Sequence, residues 1–418
     1  MAHSFVLLDR DVDFSFHEAA TGVESIRSVW EGKGIHGLQS PQELSDAVTE
    51  YMGTFMARAV IADPPELSSL HMLVPTEYVG LPPQLQDMHS ASISSADKNL
   101  VAICAGDCRP GTRMIEIGGY LIYDASKDSL SVVPKLLDHD FHAAIGCQSA
   151  VVMCNGDDGG YFLAELVWVR PELSQAAIWL WNSSNPGSGW ALQPARLHLP
   201  PAFCPHMCFS YRGSTLCWVD LLSGMVVCDL GKECSSNSDG PELRFVALPA
   251  DCPSYDTSSP WNRYHLCPEK FRSMACVGDT IKLVCMDGNV EQVPGKGFDL
   301  TVYALSPDLS DWKISSKYNV ENIWANESYH STGMPKIAPS FPVLSTHEDG
   351  VIYLVFTELI RVADTTLQRP GMSKLRQYLV RVDMESNKVQ FYPQIKKCTI
   401  DPHILGSEFS AYQKLVFT

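Results

Sequence analysis

The sequence predicts an all-β protein: a single β-propeller-like domain of about six antiparallel blades, with an added N-terminal amphipathic helix. Two observations carry that expectation, a strand–turn–strand pattern that recurs along the chain and a set of short runs that are apolar at nearly every position.

The recurring unit is an apolar strand, a short turn rich in Asp, Asn, Ser, Gly or Pro, and a second strand. It occupies residues 120–133 (YLIYDASKDSLSVV), 216–230 (LCWVDLLSGMVVCDL), 300–315 (LTVYALSPDLSDWKIS) and 378–393 (YLVRVDMESNKVQFYP), with looser copies at 59–75 and 177–197. The turns fall near Asp63, Asp124, Asn182, Asp229, Pro307 and Asp383. Their spacing is too irregular for a tight solenoid but suits blades joined by variable loops.

Only one segment reads as a strong helix, Ser40 to Ala57. Ser40 is a capping residue, Pro41 suits the first turn, Glu43 completes a capping box, and Leu44, Ala47, Val48, Tyr51, Met52, Phe55 and Met56 share one face. A face this wide is expected to dock on the body of the fold rather than on a partner. The runs at 100–105, 151–154, 281–286 and 351–356 have strand length and need burial on both sides. Tight turns make neighbouring strands antiparallel, so covering both faces requires sheets stacked on sheets, and a propeller packs each blade between two others. Segments 231–240, 251–262 and 294–297, rich in Gly, Pro and Ser, read as exposed connections. One domain is expected over residues 1–418, because the pattern runs from near the start to the end.

With 31 Lys and Arg against 48 Asp and Glu, the formal net charge is −17, which disfavours a polyanionic partner and excludes nucleic acid from the expected ligands. The acidic residues are dispersed, as at Asp9, Asp11 and Asp13, and read as solvated surface. The start lacks the basic lead-in and long apolar core of a signal peptide, and no run of about 18 apolar residues occurs, so no membrane partner and a cytoplasmic or nuclear location are expected. In that reducing setting the 14 cysteines are expected as small buried thiols without structural disulfides, and the sequons at Asn182 and Asn326 as chance matches.

The chemistry-bearing clusters are sparse. Cys204, His206 and Cys208, with Cys217 nearby, are the nearest approach to a metal site, but no CxxC pair accompanies them. Loop and core thiols are the favoured reading, with no metal and no cofactor. Asp138, His139, Asp140 and His142 set acid beside imidazole, as general acid–base chemistry requires, yet read better as a polar turn. No GxSxG elbow and no phosphate-binding glycine loop occur, and Gly32, Gly34 and Gly37 lack the strand–loop–helix setting of a dinucleotide site. Trp218-Val219-Asp220 resembles the ending of a tryptophan–aspartate propeller repeat only locally, and its indole is expected in the core.

Residues 216–345 carry a family resemblance: LCWVDLLSGMVVCDL, the strand and tryptophan unit LTVYALSPDLSDWKIS, and IWANESYHSTGMPKIAPSFPVLS, with EDGVIYLVF just beyond. With the opening SFVLLDRDV and the segment ADPPELSSLHMLVP, these are similar to a plant family of unknown function expanded in grasses, domain of unknown function 1618. The resemblance implies a propeller-like β fold and brings no catalytic residues with it. The 300–315 unit also resembles repeats of plant F-box-associated propellers, although the first ~60 residues show one amphipathic helix and no F-box helix triplet.

The function expected from these readings is a non-catalytic protein-interaction propeller whose protein partner binds the blade-connecting loops. Two alternatives stand beside it. One is a propeller enzyme, a hydrolase acting on a sugar or lactone, which needs Asp, Glu or His converging from several blades. The other is a propeller that binds a small ligand or carbohydrate, which exposed tryptophans near the channel would favour, with Trp181, Trp190 and Trp324 as candidates.

Overall fold

The structure, a computed structural model, describes residues 4–17, 41–75, 87–106, 117–136, 142–146, 149–156, 159–169, 175–200, 203–231, 241–255, 266–286, 295–361, 373–393 and 402–413. The chain begins with β1 (Val6–Asp9) and β2 (Asp13–His17), then helix α1 (Pro41–Met52), β3 (Met56–Val60) and β4 (Leu67–Pro75). Blade 2 holds β5 (Ala91–Asp97), β6 (Leu100–Gly106), β7 (Gly118–Asp124) and β8 (Ser129–Val133). Blade 3 holds β9 (His142–Ala144), β10 (Val151–Asn155), β11 (Gly160–Val169), β12 (Gln175–Asn182) and β13 (Trp190–His198). Blade 4 contains β14 (Met207–Tyr211), β15 (Thr215–Asp220), β16 (Gly224–Asp229) and β17 (Leu243–Ala247). Blade 5 contains β18 (Arg272–Val277), β19 (Thr280–Cys285), β20 (Asp299–Leu305) and β21 (Trp312–Asn319), and is followed by short helices α2 (Val320–Trp324) and α3 (Glu327–Thr332). Blade 6 contains β22 (Ser340–Leu344), β23 (Val351–Arg361), β24 (Ser373–Asp383) and β25 (Lys388–Pro393), and β26 (Ile404–Ser407) then returns to the first sheet.

Five of the six sheets are the expected antiparallel blades, built from consecutive strands. The first is mixed. β26 pairs antiparallel with β1, from Val6↔Ser407 to Asp9↔Ile404, but β1 and β2 lie parallel to β4, and β3 covers the other edge of β4 antiparallel. The expectation of wholly antiparallel blades is corrected here. Short turns force antiparallel neighbours, whereas the long excursion between β2 and β4, which includes α1, permits a parallel crossover.

Burial follows the doubly covered pattern that the short runs require. In β6, Leu100, Ala102 and Cys104 pack toward blade 3 while Val101, Ile103 and Ala105 pack toward the first sheet. In β23, Ile352, Leu354 and Phe356 pack against blade 5, and Val351, Tyr353 and Val355 pack against β1 of the first sheet. With the cores between blades 3 and 4 and between blades 4 and 5, every neighbouring pair of sheets shares an apolar layer, and the ring is closed. At about 25 cal/mol per Å² of apolar surface removed from water, these layers are the main stabilising term.

The recurring turn residues act at equivalent points, where the next-to-last strand of each antiparallel blade turns into the last. Side-chain oxygens of Asp124, Asn182, Asp229 and Asp383 accept the backbone N–H of Ser126, Ser184, Gly231 and Ser386 at 3.0, 3.0, 2.9 and 3.0 Å. In blade 5 the residue beside Pro307 does this work, with Asp308 accepting from the Ser310 N–H at 3.2 Å. Each carboxylate or amide closes the turn on itself, so the strand reverses without help from the rest of the fold.

The helix is shorter than expected. It ends at Met52, and Gly53, Thr54 and Phe55 close it with N–H groups donated to the carbonyls of Thr49, Tyr51 and Met52. Met56 and Ala57 belong to β3, paired with Leu73 and Met72, and Met56 is exposed rather than on the docking face. The ladder with β4 overrides the helical periodicity there. Ser40 lies outside the described residues. Val48, Tyr51, Met52 and Phe55 are buried in the core between the first sheet and blade 2, where Leu44 is half-buried. Gly119 of β7 admits the helix because a Cβ there would lie 3.0 Å from Met52 Sδ. Of the expected exposed connections, residues 232–240, 256–262 and 294 fall outside the described residues, as do Gly32, Gly34 and Gly37.

Two outcomes follow. Phe55→Ala should cost about 3–5 kcal/mol in chemical denaturation and Leu44→Ala less than about 2, since only the phenyl ring is fully enclosed. The hydroxyls of Ser306 and Ser310 hold the Asp308 carboxyl down at about 2, below the ~3.9 of an unfolded chain. Its contribution is therefore complete above about pH 4 and lost as pH falls toward about 2. Asp308→Asn keeps the accepting oxygen but not the charge, so urea midpoints compared at pH 4 and pH 2 should fall less in the variant than in the parent protein.

Candidate functional site at the ring centre

The first strands of the blades, β5, β10, β14, β18 and β22, together with β26, face the axis. They leave a cavity of about 190 Å3 between blades 4, 5, 6 and the first sheet. Its polar lining comes from separate stretches of chain: Arg10 between β1 and β2, Cys204 and His206 ahead of β14, Glu269 on a 3-10 turn, Arg272 and Ser273 on β18, and His403 ahead of β26. Pro205, Met207, Leu221, Phe341, Pro342 and Val343 supply most of the remaining wall.

Both arginines are built into the frame. Arg10 is 9% exposed and donates from Nε to the Ile93 carbonyl at 2.7 Å and from Nη2 to the Ser94 carbonyl at 3.1 Å. Burial pulls its guanidinium below the ordinary value, against the fields of Cys208, Glu269, Cys104 and Asp11. Arg272, 1% exposed, donates to the carbonyls of Leu221 and Pro253 at 3.0 and 2.8 Å, with its guanidinium 5.0 Å from the Tyr255 ring centre.

His206 is oriented by the turn between β15 and β16. The Leu221 N–H donates to His206 Nδ1 at 3.2 Å, which makes Nδ1 the acceptor and leaves the proton of the neutral ring on Nε2. Asp220, fully buried, lies 3.6 Å from the same nitrogen. That carboxylate accepts from the Cys204 and Leu222 N–H groups at 3.2 and 3.0 Å and from the Ser223 hydroxyl at 2.7 Å.

The structure brings Cys204 and His206 to one wall and separates the other candidate ligands. Cys208 is buried with its thiol toward the carbonyls of Ser94 and Ala150, at 3.7 and 3.6 Å. Cys217 faces the opposite side of blade 4, in the core shared with blade 5, where burial pushes its thiol well up. Among the described residues no three His, Cys, Asp or Glu side chains are grouped to hold a metal ion. Asp138, His139 and Asp140 lie outside the described residues, and so does the side chain of His142.

The tryptophans considered as ligand-stacking groups are structural instead. Trp181 and Trp324 are buried, and Trp190 is half-buried with its indole N–H donated to the Pro134 carbonyl at 2.8 Å. Trp218 is fully buried, as expected for its indole. Sequence reasoning missed Arg10, Arg272, Glu269 and His403. No periodicity marks them, because they meet only when the ring closes.

Radial sheets around an axial cavity define the class, a β-propeller. The family described as "Protein of unknown function (DUF1618)" matches residues 218–353, from the second strand of blade 4 to the second strand of blade 6. The match supports the family that segment 216–345 resembles. No curated protein matches the chain. Among solved structures, the chain is similar to the β-propeller domain of Myceliophteria thermophila Cps50 (Swd1), at 9% identity over 70% of this chain and 83% of that one, with a TM-score of 0.30. A protein from Lactobacillus plantarum shows 9% identity, coverage of 73% and 70%, and a TM-score of 0.35. A putative 6-phosphogluconolactonase from Bacteroides fragilis shows 7% identity, coverage of 71% and 82%, and a TM-score of 0.33.

The separation of Cys204, Cys208 and Cys217 gives a direct expectation. Protein purified without chelators should carry no stoichiometric zinc by elemental analysis, and Cys204→Ser with Cys208→Ser should leave melting insensitive to added metal. One zinc per chain lost in the double variant would contradict this placement.

Proposed function

We propose that this chain is a non-catalytic protein-interaction propeller of the plant family that its central segment resembles, acting on a protein partner in the cytosol or nucleus. The observation that carries the reading is a two-stranded ribbon standing out from blade 6. β23 and β24 continue their ladder from Thr357↔Gln377 to Arg361↔Ser373, beyond the pairing of either flanking strand, β22 or β25. Leu359 on this ribbon is 61% exposed, the most exposed of the large apolar side chains among the described residues, and lies opposite Leu375. The root is rigid: Arg376 donates from Nε to Glu358 at 2.8 Å and from Nη1 to the Thr332 carbonyl of α3 at 3.4 Å.

An apolar side chain held clear of the body on a braced ribbon suits recognition more than chemistry. Arg10, Arg272 and His206 at the ring centre bond to backbone groups of the frame, which supports a scaffold rather than a reactive constellation. Among the described residues no helix is long and apolar enough to cross a membrane.

Capture of partners from plant extract with the tagged chain, run beside Leu359→Asp, tests the proposal. A reproducible protein should be retained by the parent chain and reduced at least about tenfold by the variant, with melting unchanged. A chain that retains no reproducible protein, or retains it equally in both forms, would overturn the ribbon as the recognition surface.

A further inference from the structure

We propose that Cys252 and Cys285 form a redox-responsive dithiol, a modification site at which a peroxide joins blade 4 to blade 5 through a reversible disulfide. This stands apart from the ribbon and from the protein partner proposed above. It rests on the placement of the two sulfurs, on the contacts that keep them together, and on the unequal exposure of the two residues.

Cys252 follows the last strand of blade 4 and Cys285 ends β19, the second strand of blade 5, yet their Sγ atoms lie 3.4 Å apart. The two thiols are each other's partners across a blade boundary, 33 residues apart in sequence. Cys154, Cys208 and Cys276 differ, because their sulfurs point to the backbone carbonyls of Asp97, Ser94 and Gly278. A disulfide needs about 2.05 Å between sulfurs, a closer approach that side-chain rotation and a small movement of the half-buried Cys252 segment can supply.

The contacts around the pair hold the two segments together. Arg272 faces Cys285 across the β18–β19 ladder and donates from Nη2 to the carbonyl of Pro253, the residue after Cys252, at 2.8 Å. The Cys252 N–H donates to the Pro249 carbonyl at 3.0 Å and closes the turn that carries its thiol. Tyr303 of β20, 6% exposed, hydrogen-bonds Cys252 through its hydroxyl. Burial pushes that hydroxyl up, and the fields of Cys252 and Cys285 add to the shift.

Exposure assigns the roles. Cys252 is half-buried, whereas Cys285 is 3% exposed. A groove of about 730 Å3 between the outer strands of blades 4 and 5 passes Asp251 and Tyr303, beside Cys252. A small oxidant such as hydrogen peroxide therefore meets Cys252 first. The Cys252 thiol gives up its proton and its sulfur attacks one peroxide oxygen; the O–O bond breaks, and the departing hydroxide takes up that proton as water, leaving a sulfenic acid. The Cys285 sulfur then attacks the Cys252 sulfur, the S–O bond breaks, and the second hydroxide leaves as water with the Cys285 proton. Two thiols lose two electrons and one peroxide becomes two waters. The product ties the segment after β17 to β19, and a thiol reductant reverses it by exchange.

The test uses the full chain, reduced with dithiothreitol, freed of reductant, treated with stoichiometric hydrogen peroxide, alkylated and digested for mass spectrometry. Peptides linked through Cys252 and Cys285, lighter than their sum by two hydrogens, should be the main product and should separate on re-reduction. The thiol titre of the unfolded chain should fall by two from its 14 cysteines. In Cys285→Ala the link has no second sulfur, so Cys252 should be trapped as its sulfenic acid by dimedone; in Cys252→Ser the buried Cys285 should stay a thiol at the same dose. A main linkage between other cysteines, or conversion of Cys252 in the parent chain to a sulfinic acid with Cys285 still a thiol, would overturn the proposal. So would a pair left unoxidised at a dose that consumes thiols elsewhere in the chain. The peptide map of the parent chain decides the matter whether or not either variant folds.

Discussion

The structure depends on one junction, the pairing of β1 with β26 and the arginine that locks it. β26 completes the first sheet by a ladder of four residue pairs, which alone is a modest union of two short strands. Arg10 extends it. Its N–H donates to the His403 carbonyl, its carbonyl accepts the Ile93 N–H, and its side chain reaches the carbonyls of Ile93 and Ser94. One residue thus joins the beginning of the fold, the segment leading into β26 and the inner strand of blade 2. A neutral side chain would leave two buried carbonyls without these charge-assisted donors, so the position tolerates a desolvated cation.

Much of the ring was legible in the sequence because its information is local. Residues 100–105 and 351–356 are apolar on both faces since each blade meets two neighbours, and Asp124 and Asp383 mark turns through bonds to residues two or three positions on. The mixed first sheet was not legible. β1 and β4 are joined by no turn, and parallel pairing across a long excursion leaves no spacing to read. The helix end was misread for a related reason: Phe55 continues the apolar face of α1, but Met56 answers to a ladder partner on β4.

The centre of the ring was the least legible part. Arg10 lies among Asp9, Asp11 and Asp13, where composition suggests solvated surface, and its burial is a consequence of closure. Glu269 and Arg272 lie three residues apart in sequence, yet their neighbours in the cavity come from residues 204–207, 341–343 and 402–404. Cys204, His206 and Cys208, close in sequence, part in space because the first two lie on the irregular chain ahead of β14, where alternation does not hold, while Cys208 lies within the strand with its thiol toward the carbonyls of Ser94 and Ala150. Short spacing was a poor guide to convergence, and convergence was invisible without topology.

Apolar layers close the ring but are tolerant of small rotations between blades, so the shape of the central cavity needs directional contacts as well. Tryptophans and tyrosines provide them in opposite senses. The indole N–H groups of Trp190, Trp218 and Trp312 each donate 2.8 Å backward, to the Pro134, Ser149 and Ala247 carbonyls on the side of the preceding blade. The hydroxyls of Tyr120, Tyr211 and Tyr318 donate forward, to Glu165, the Asp279 carbonyl and Asn387 of the following blade. Blades 3, 4 and 5 are each fixed to their predecessors by an indole, and blades 2, 4 and 5 to their successors by a phenol. The aromatic residues that might have stacked on a ligand therefore serve to set blade angles, and the fixed angles hold Arg10, His206, Glu269 and Arg272 around one space.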